Sequence, residues 1–210
     1  MLAGGFMSVL TVENVSVRKQ GVALLPPCTF ALGAGDILLV SGPNGCGKST
    51  LLRAIAGFES ASDGDILLDG KNVTKSGAEE RRLQGVRLCH QGGRVFRRLT
   101  GRQNLVLAGQ RTPDAGMRLL ADIGVSLDLP ASLLSGGQRQ ALSVVMAISA
   151  QAPVGLFDEP IAGLRPDVGK RIIELILEHR VPDGAIVLVE HTSFDLFGAQ
   201  VRRLRLLPRE

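Results

Sequence analysis

Residues Gly42-Pro43-Asn44-Gly45-Cys46-Gly47-Lys48-Ser49-Thr50 constrain this chain more than any other stretch. They fit the spacing G-x-x-x-x-G-K-[S/T], with the apolar run Ile37-Leu38-Leu39-Val40 before them and the helix-spaced Leu51-Leu52-Arg53-Ala54-Ile55-Ala56 after them. Glycines let a backbone turn its N–H groups inward around an anion, and the helix that follows presents its positive end to the same point. Lys48 adds a compact charge for the β/γ-phosphate oxygens, and the Ser49 hydroxyl is an oxygen ligand suited to Mg²⁺. The expected chemistry is the cradling of a nucleoside triphosphate. A glycine-rich turn with a chance lysine is the competing reading, and the strand and helix flanks argue against it.

A strand–loop–helix unit needs a sheet to sit in, and the chain supplies one. Val9 to Val17 and Val22 to Leu32 read as β segments, the second broken by Pro26-Pro27. Gly64 to Gly70 reads as a strand ending in an Asp-Gly turn, and Val86 to His90 as another. Helical spacing runs from Arg102 to Gly124, with a break at Thr112-Pro113-Asp114. Ser135 opens a helix with Ala141, Val144, Val145 and Ile148 on one face. The buried strand Val154-Gly155-Leu156-Phe157 precedes a helix from about Asp167, and Pro182-Asp183-Gly184 turns the chain into a last strand, Ala185 to Val189. Alternating strands and helices imply an α/β chain with a mostly parallel sheet. An antiparallel β segment at the N-terminus and an inserted helical subdomain over 92–150 modify it, within one domain over 1–210.

Several function classes are disfavoured. Cys28, Cys46 and Cys89 stand at no metal-like spacing and read as free thiols in a reducing compartment. Met1 to Met7 does not spell a signal peptide. The uncharged stretch from Gln140 to Phe157 is interrupted by Gln140, Ser143, Ser149, Gln151 and Pro153, so a buried helix and strand fit it better than a membrane span. The chain has seven Phe and neither Trp nor Tyr, which argues against a surface that stacks bases, so nucleic acid is not an expected partner. Arg94, Arg97, Arg98 and Arg102, and again Arg202, Arg203, Arg205 and Arg209, read as a solvated face or a docking surface.

Two further motifs carry chemistry. Asp158-Glu159-Pro160 ends an apolar strand. A carboxylate at the carboxyl end of a parallel strand, in the sheet that holds a phosphate loop, is placed to hold Mg²⁺ through water, and its neighbour to orient or deprotonate an attacking water. A solvated pair of strand-end charges is the alternative. In Leu134-Ser135-Gly136-Gly137-Gln138-Arg139-Gln140, Ser135 and Gln138 are spaced as a capping box. The first-turn glycines cost up to roughly 1 kcal/mol each against alanine. They make sense where backbone must approach an anion.

On these residues the chain resembles the ATP-binding cassette (ABC) ATPases over about residues 8 to 200. Gly42 to Thr50 matches their Walker A, Leu134 to Gln140 their signature motif, and Val154 to Glu159 their Walker B with the catalytic glutamate. Gln91 falls where their Q-loop glutamine belongs, and His191 where their switch histidine belongs. The resemblance implies ATP and Mg²⁺ as ligands, with Gly42 to Thr50 and Ser135, Gly136, Gly137 and Gln138 on the nucleotide. It implies Ser49, Gln91 and Asp158 around the metal, and Glu159, His191 and Gln91 as the catalytic set. It further implies a second ABC ATPase chain, identical or paralogous, packed head to tail, and integral membrane permease subunits. The location implied is the cytoplasmic face of a membrane. A soluble ABC ATPase that remodels a protein partner is the alternative.

The stretches Gln91 to Thr100, Asp158 to Pro166 and Leu188 to His191 also look like the ATPase subunits of branched-chain amino acid and urea uptake systems. Departures from the wider pattern have consequences. Val17-Arg18-Lys19 stands where an aromatic ring usually stacks on adenine, so weak adenine discrimination is expected, partly restored by Arg18. Arg165 replaces the D-loop aspartate, residues 92–134 are short for a helical subdomain, and the chain stops soon after its last strand with no regulatory domain appended. Cys46, near a helix start and Lys48, is expected to react with alkylating agents, with ATP protecting it, the alternative being an inert small residue in the loop.

Overall fold

The computed structural model describes residues 8–109, 114–178, 181–190 and 201–207. Strands β1 (Leu10–Lys19) and β2 (Val22–Leu32) form an antiparallel hairpin, and β3 (Ile37–Ser41) leads through the glycine loop into helix α1 (Lys48–Ile55). Then come β4 (Asp63–Leu68), β5 (Lys71–Asn72), α2 (Ala78–Leu83) and β6 (Val86–Cys89). Helices α3 (Gly101–Ala108) and α4 (Asp114–Asp122), a 3₁₀ turn (Ala131–Leu133) and α5 (Gly136–Ser149) follow. The chain returns to β7 (Val154–Asp158), α6 (Pro166–Glu178), β8 (Ala185–Val189) and β9 (Val201–Arg205).

Two sheets result. One is antiparallel, ordered β2-β1-β4-β5, and the other parallel, ordered β6-β7-β8-β3-β9. Successive side chains of a strand point to opposite faces, and the central parallel strands are apolar on both. Leu38 and Val40 of β3, with Ala185, Val187 and Val189 of β8, pack toward α1 and the antiparallel sheet. Ile37 and Leu39, with Ile186 and Leu188, pack toward α3 to α6. The parallel sheet is thus enclosed between two cores. Its carboxyl edge, where β3, β7 and β8 end together, is where α/β folds hold ligands.

Three local features depart from the sequence expectation. Strand β2 runs unbroken through Pro26 and Pro27, because it is an edge strand and a register shift between Val15 and Val17 absorbs the missing donors. Arg202, Arg203 and Arg205 lie on β9, an edge strand whose charges discourage further pairing. Arg202 also pairs with Asp36 at 3.4 Å, and Arg209 lies outside the described residues. Helix α2 has no apolar stripe. It is pinned instead by Arg81, which is buried and donates to the carbonyls of Ala54, Ile55, Thr74 and Ser76, tying α2 to the carboxyl end of α1.

Candidate nucleotide site

The loop between β3 and α1 takes its shape from glycine. Gly47 precedes α1 with φ +105°, and a Cβ there would stand 2.6 Å from the Leu24 carbonyl oxygen. Gly42 has φ +148°, and a Cβ there would stand 2.5 Å from the Leu206 carbonyl oxygen. A side chain at either position closes the loop against its neighbours. Lys48 is buried and folds back, its ammonium donating to the carbonyls of Gly42 (2.9 Å) and Pro43 (3.1 Å). Pro43, Asn44 and Gly45 are exposed along the rim.

Asp158 ends β7 beside this loop. The Ser49 hydroxyl donates to Asp158 Oδ1 at 3.0 Å, so two of the expected metal ligands are brought together from α1 and β7. The donor set is a hydroxyl, a carboxylate and, from Gln91, an amide oxygen. These hard oxygens suit Mg²⁺, which binds through few protein groups and keeps waters and phosphate oxygens. Among the described residues there is no cluster of three or more His, Cys, Asp or Glu side chains that could hold a metal ion.

Burial pushes the Asp158 carboxyl above its ordinary 3.8, the Ser49 hydroxyl pulls it back, and the Glu159 charge pushes it up again; Lys48 and Arg53 lower it. The folded chain therefore holds this proton more tightly than the unfolded chain does. Stability falls as pH rises through the window that opens near 3.8 and closes at the raised value. Asp158→Asn, which keeps an oxygen for Ser49, is expected to raise the melting temperature of the nucleotide-free chain at neutral pH. The gain should fade as pH falls toward 3.8, which thermal melts across pH would check.

Glu159 follows with φ +47°, an uncommon conformation for a residue with a Cβ and one that recurs at functional sites. Its N–H donates to the Val189 carbonyl at 3.0 Å, and its Oε2 accepts from Gln91 Nε2 at 2.7 Å. Gln91, just after β6, reaches this carboxylate across two neighbouring strands of the sheet. A cleft of about 520 Å³ is lined by Asn44, Gly45, Gly47 to Thr50, Gln91 and Glu159. A larger cleft of about 1020 Å³, between β4, β5 and α2, holds none of the expected site residues.

Ser135 caps α5 as the spacing requires. Its hydroxyl accepts from the Gln138 N–H (3.2 Å), and the Gln138 amide oxygen accepts from the Ser135 N–H (2.9 Å). Gln138 Nε2 also donates to the carbonyls of Ile123 and Gly124, fixing the helix start against the end of α4. Ser135 and Gly136 are exposed, and a Cβ on Gly136 would meet nothing within 4 Å. This turn lines a second cleft with Gly163, Leu164 and Arg165, which shares no residue with the phosphate-loop cleft. The two clefts are therefore separate surfaces of one chain.

His191 lies outside the described residues, next to Glu190, which is buried and accepts from the Ile161 N–H at 3.3 Å. Cys46 requires a correction. Its side chain is 1 % exposed, which removes the access that alkylation needs. Cys28 and Cys89 are free and buried too, both pushed up to about 11 by burial. Val17 is buried and Arg18 exposed at the end of β1, where Val17 pairs with Leu25 beside Gly47. Gln140, in sequence the last residue of the signature motif and a polar interruption of an apolar stretch, is buried with its side chain on the Glu159 turn.

Comparison with known proteins agrees with this geometry. A family model described as ABC transporter matches residues 25–162. The chain is 33% identical over 199 residues to the cytochrome c biogenesis ATP-binding export protein CcmA of Brucella abortus, covering 90% of this chain and 88% of that one. It is 31% identical over 201 residues to the ribose import ATP-binding protein RbsA of Chromobacterium violaceum, of whose length it spans only 40%. Among solved structures, a nucleotide-free ATP-binding cassette from an ABC transporter superposes with a TM-score of 0.73 at 26% identity, over 88% of this chain and 82% of that one.

Proposed function

This chain belongs to the ABC transporter family and is an ATPase of its ATP-binding type, and from that premise we propose that two copies, or one copy and a paralogue, close on ATP to power transport through separate membrane subunits. The observation that carries the proposal is the separation of the two half-sites. The phosphate-loop cleft and the turn Ser135-Gly136-Gly137, exposed at Ser135 and Gly136, share no lining residue, which supports completion of each by another chain. A twofold arrangement would build two equivalent sites at one interface.

In this reading the loop N–H groups and Lys48 grip the β/γ-phosphates. Ser135, Gly136, Gly137 and Gln138 of the second copy approach the γ-phosphate with the positive end of α5. Ser49 and Asp158, joined by Gln91, would hold Mg²⁺, which neutralises phosphate charge when bound. With its Nε2 on Glu159, Gln91 keeps its amide oxygen for that task. Glu159 accepts a proton from the attacking water or orients it, and His191 contacts the γ-phosphate. Residues 92–150 serve as the helical subdomain, and exposed Phe96, Val106 and Leu107 support a partner surface on it.

Cargo is a finer matter. The motifs from Gln91 to Thr100 and Asp158 to Pro166 favour uptake of the branched-chain amino acid or urea type. The relatives named above are an exporter and a ribose importer at nearly equal identity, so identity at this level does not select a cargo. Among the described residues no helix is long and apolar enough to cross a membrane. The test is a tagged Glu159→Gln pull-down from detergent-solubilised host membranes with ATP and Mg²⁺. Recovery of a multi-span membrane protein is expected. Soluble partners alone, with no membrane fraction retained, would favour the remodelling class instead.

The end of β1 also carries a prediction. Base–aromatic stacking is worth roughly 1–3 kcal/mol, and only the exposed Arg18 stands in its place here. GTP is expected to be hydrolysed with kcat/KM within about tenfold of ATP. A strong preference for ATP in steady-state assays would refute this.

A further inference from the structure

We infer that Gln140 is a positioning residue for hydrolysis, holding the backbone turn that aims Glu159 and tying it to the helix whose start bears the signature turn. The inference rests on the role given to Glu159 above. Gln140 lies in α5, just past Ser135 to Gln138, and is 3 % exposed. Its Nε2 donates to the Pro160 carbonyl at 3.0 Å and approaches the Glu159 carbonyl at 3.5 Å. Both neighbours are acceptors, so the amide is fixed with its nitrogen toward them.

The left-handed backbone of Glu159 persists only where its surroundings over-determine it. Among the described residues, restraints come from β8, the segment after β6, and α5. The β8 carbonyl of Val189 takes the Glu159 N–H, Gln91 takes its carboxylate, and Gln140 takes the carbonyls of the turn. Helix α5 is locked to the Gln91 segment as well. Gly93 has φ +63°, and a Cβ on it would stand 2.6 Å from both the Arg139 carbonyl carbon and the Gln140 nitrogen. Cys89 Sγ, at the end of β6, lies 3.5 Å from Ser143 Oγ on the same helix.

Gln140 Oε1 is buried with no hydrogen-bond partner among the described residues. An orphaned buried acceptor is a standing cost, and a leucine would avoid it. The hydrogen bonds this amide makes among the described residues go to the Glu159 turn. Contact between a second chain's ATP and the start of α5 would thereby bear on the carboxylate in the same chain through one side chain.

The test uses Gln140→Leu and Gln140→Met in the full chain, which keep the volume and remove the donor, so that one serves if the other does not fold. Expected is a fall in kcat of about tenfold or more, with ATP affinity and melting temperature close to wild type. In single turnover, either change made on top of Glu159→Gln should produce no further loss, because the carboxylate it aims is already gone. Kcat at wild-type level would overturn the inference, as would equal losses in kcat and ATP affinity, or a full multiplicative loss in the Glu159→Gln background. If Glu159→Gln is inactive while Gln140→Leu turns over normally, the role of Glu159 stands and that of Gln140 falls. If Glu159→Gln turns over normally, both fall.

Discussion

Glu159→Gln is expected to lower ATP turnover by about 10²–10⁴-fold, the usual contribution of a general base, while ATP still binds. The change swaps one carboxylate oxygen for an amide nitrogen and keeps shape. Gln91 Nε2, 2.7 Å from Glu159 Oε2, then loses an ionic acceptor but little packing. The backbone restraints on residue 159, the N–H on Val189 and the carbonyl beside Gln140, do not involve the carboxylate. The phosphate loop lies on a different strand, so affinity should hold. Fluorescent-nucleotide titration and phosphate release, measured on the same preparation, separate the two quantities. Turnover above a tenth of wild type would remove Glu159 from the catalytic role.

Lys48→Ala should act on the other quantity. Hydrogen bonds from a charged group are worth about 1.5–3 kcal/mol each, and every 1.4 kcal/mol is tenfold in affinity. Losing the ammonium should therefore weaken ATP binding by about 10²-fold, and hydrolysis with it. The ammonium now rests on the carbonyls of Gly42 and Pro43, neutral partners that a phosphate would outcompete. Lys48→Arg is not expected to restore binding, since a planar fork does not fit where a compact charge is buried under the loop. Isothermal titration with ATP would decide it, and wild-type affinity in either variant would contradict the assignment.

The elements that surround the site were legible in sequence wherever one pattern dominated. Strands β3, β7 and β8 are apolar runs buried on both faces, and the Ser135–Gln138 spacing produced its capping box. Legibility failed where a different force decides. Strand β9 alternates only weakly, Arg202, Arg203 and Arg205 outnumbering Val201 and Leu204, because an edge strand needs burial on few positions. Helix α2 is anchored by one arginine and four carbonyls, which hydrophobic periodicity cannot register. The unbroken course of β2 through two prolines depends on its place at an edge, a property of the whole sheet.

The site divides the same way. Loop glycines, Lys48, Ser49, Asp158 and Glu159 carry their chemistry in their spacing. The meeting of Gln91 with Glu159 needs β6 and β7 side by side, and the clamp from Gln140 needs α5 laid against the turn after β7. For Cys46, sequence shows a thiol near a charge but not its burial, which favours an inert loop residue over a reactive one.

The two-chain site is tested most directly by the mass of the purified Glu159→Gln chain in solution, from light scattering on size exclusion with and without ATP. The half-site geometry predicts a shift from one chain to two on adding ATP, abolished by Ser135→Arg at the exposed turn. A chain that binds ATP yet stays monomeric, alone and with its co-purifying partners, would contradict the account.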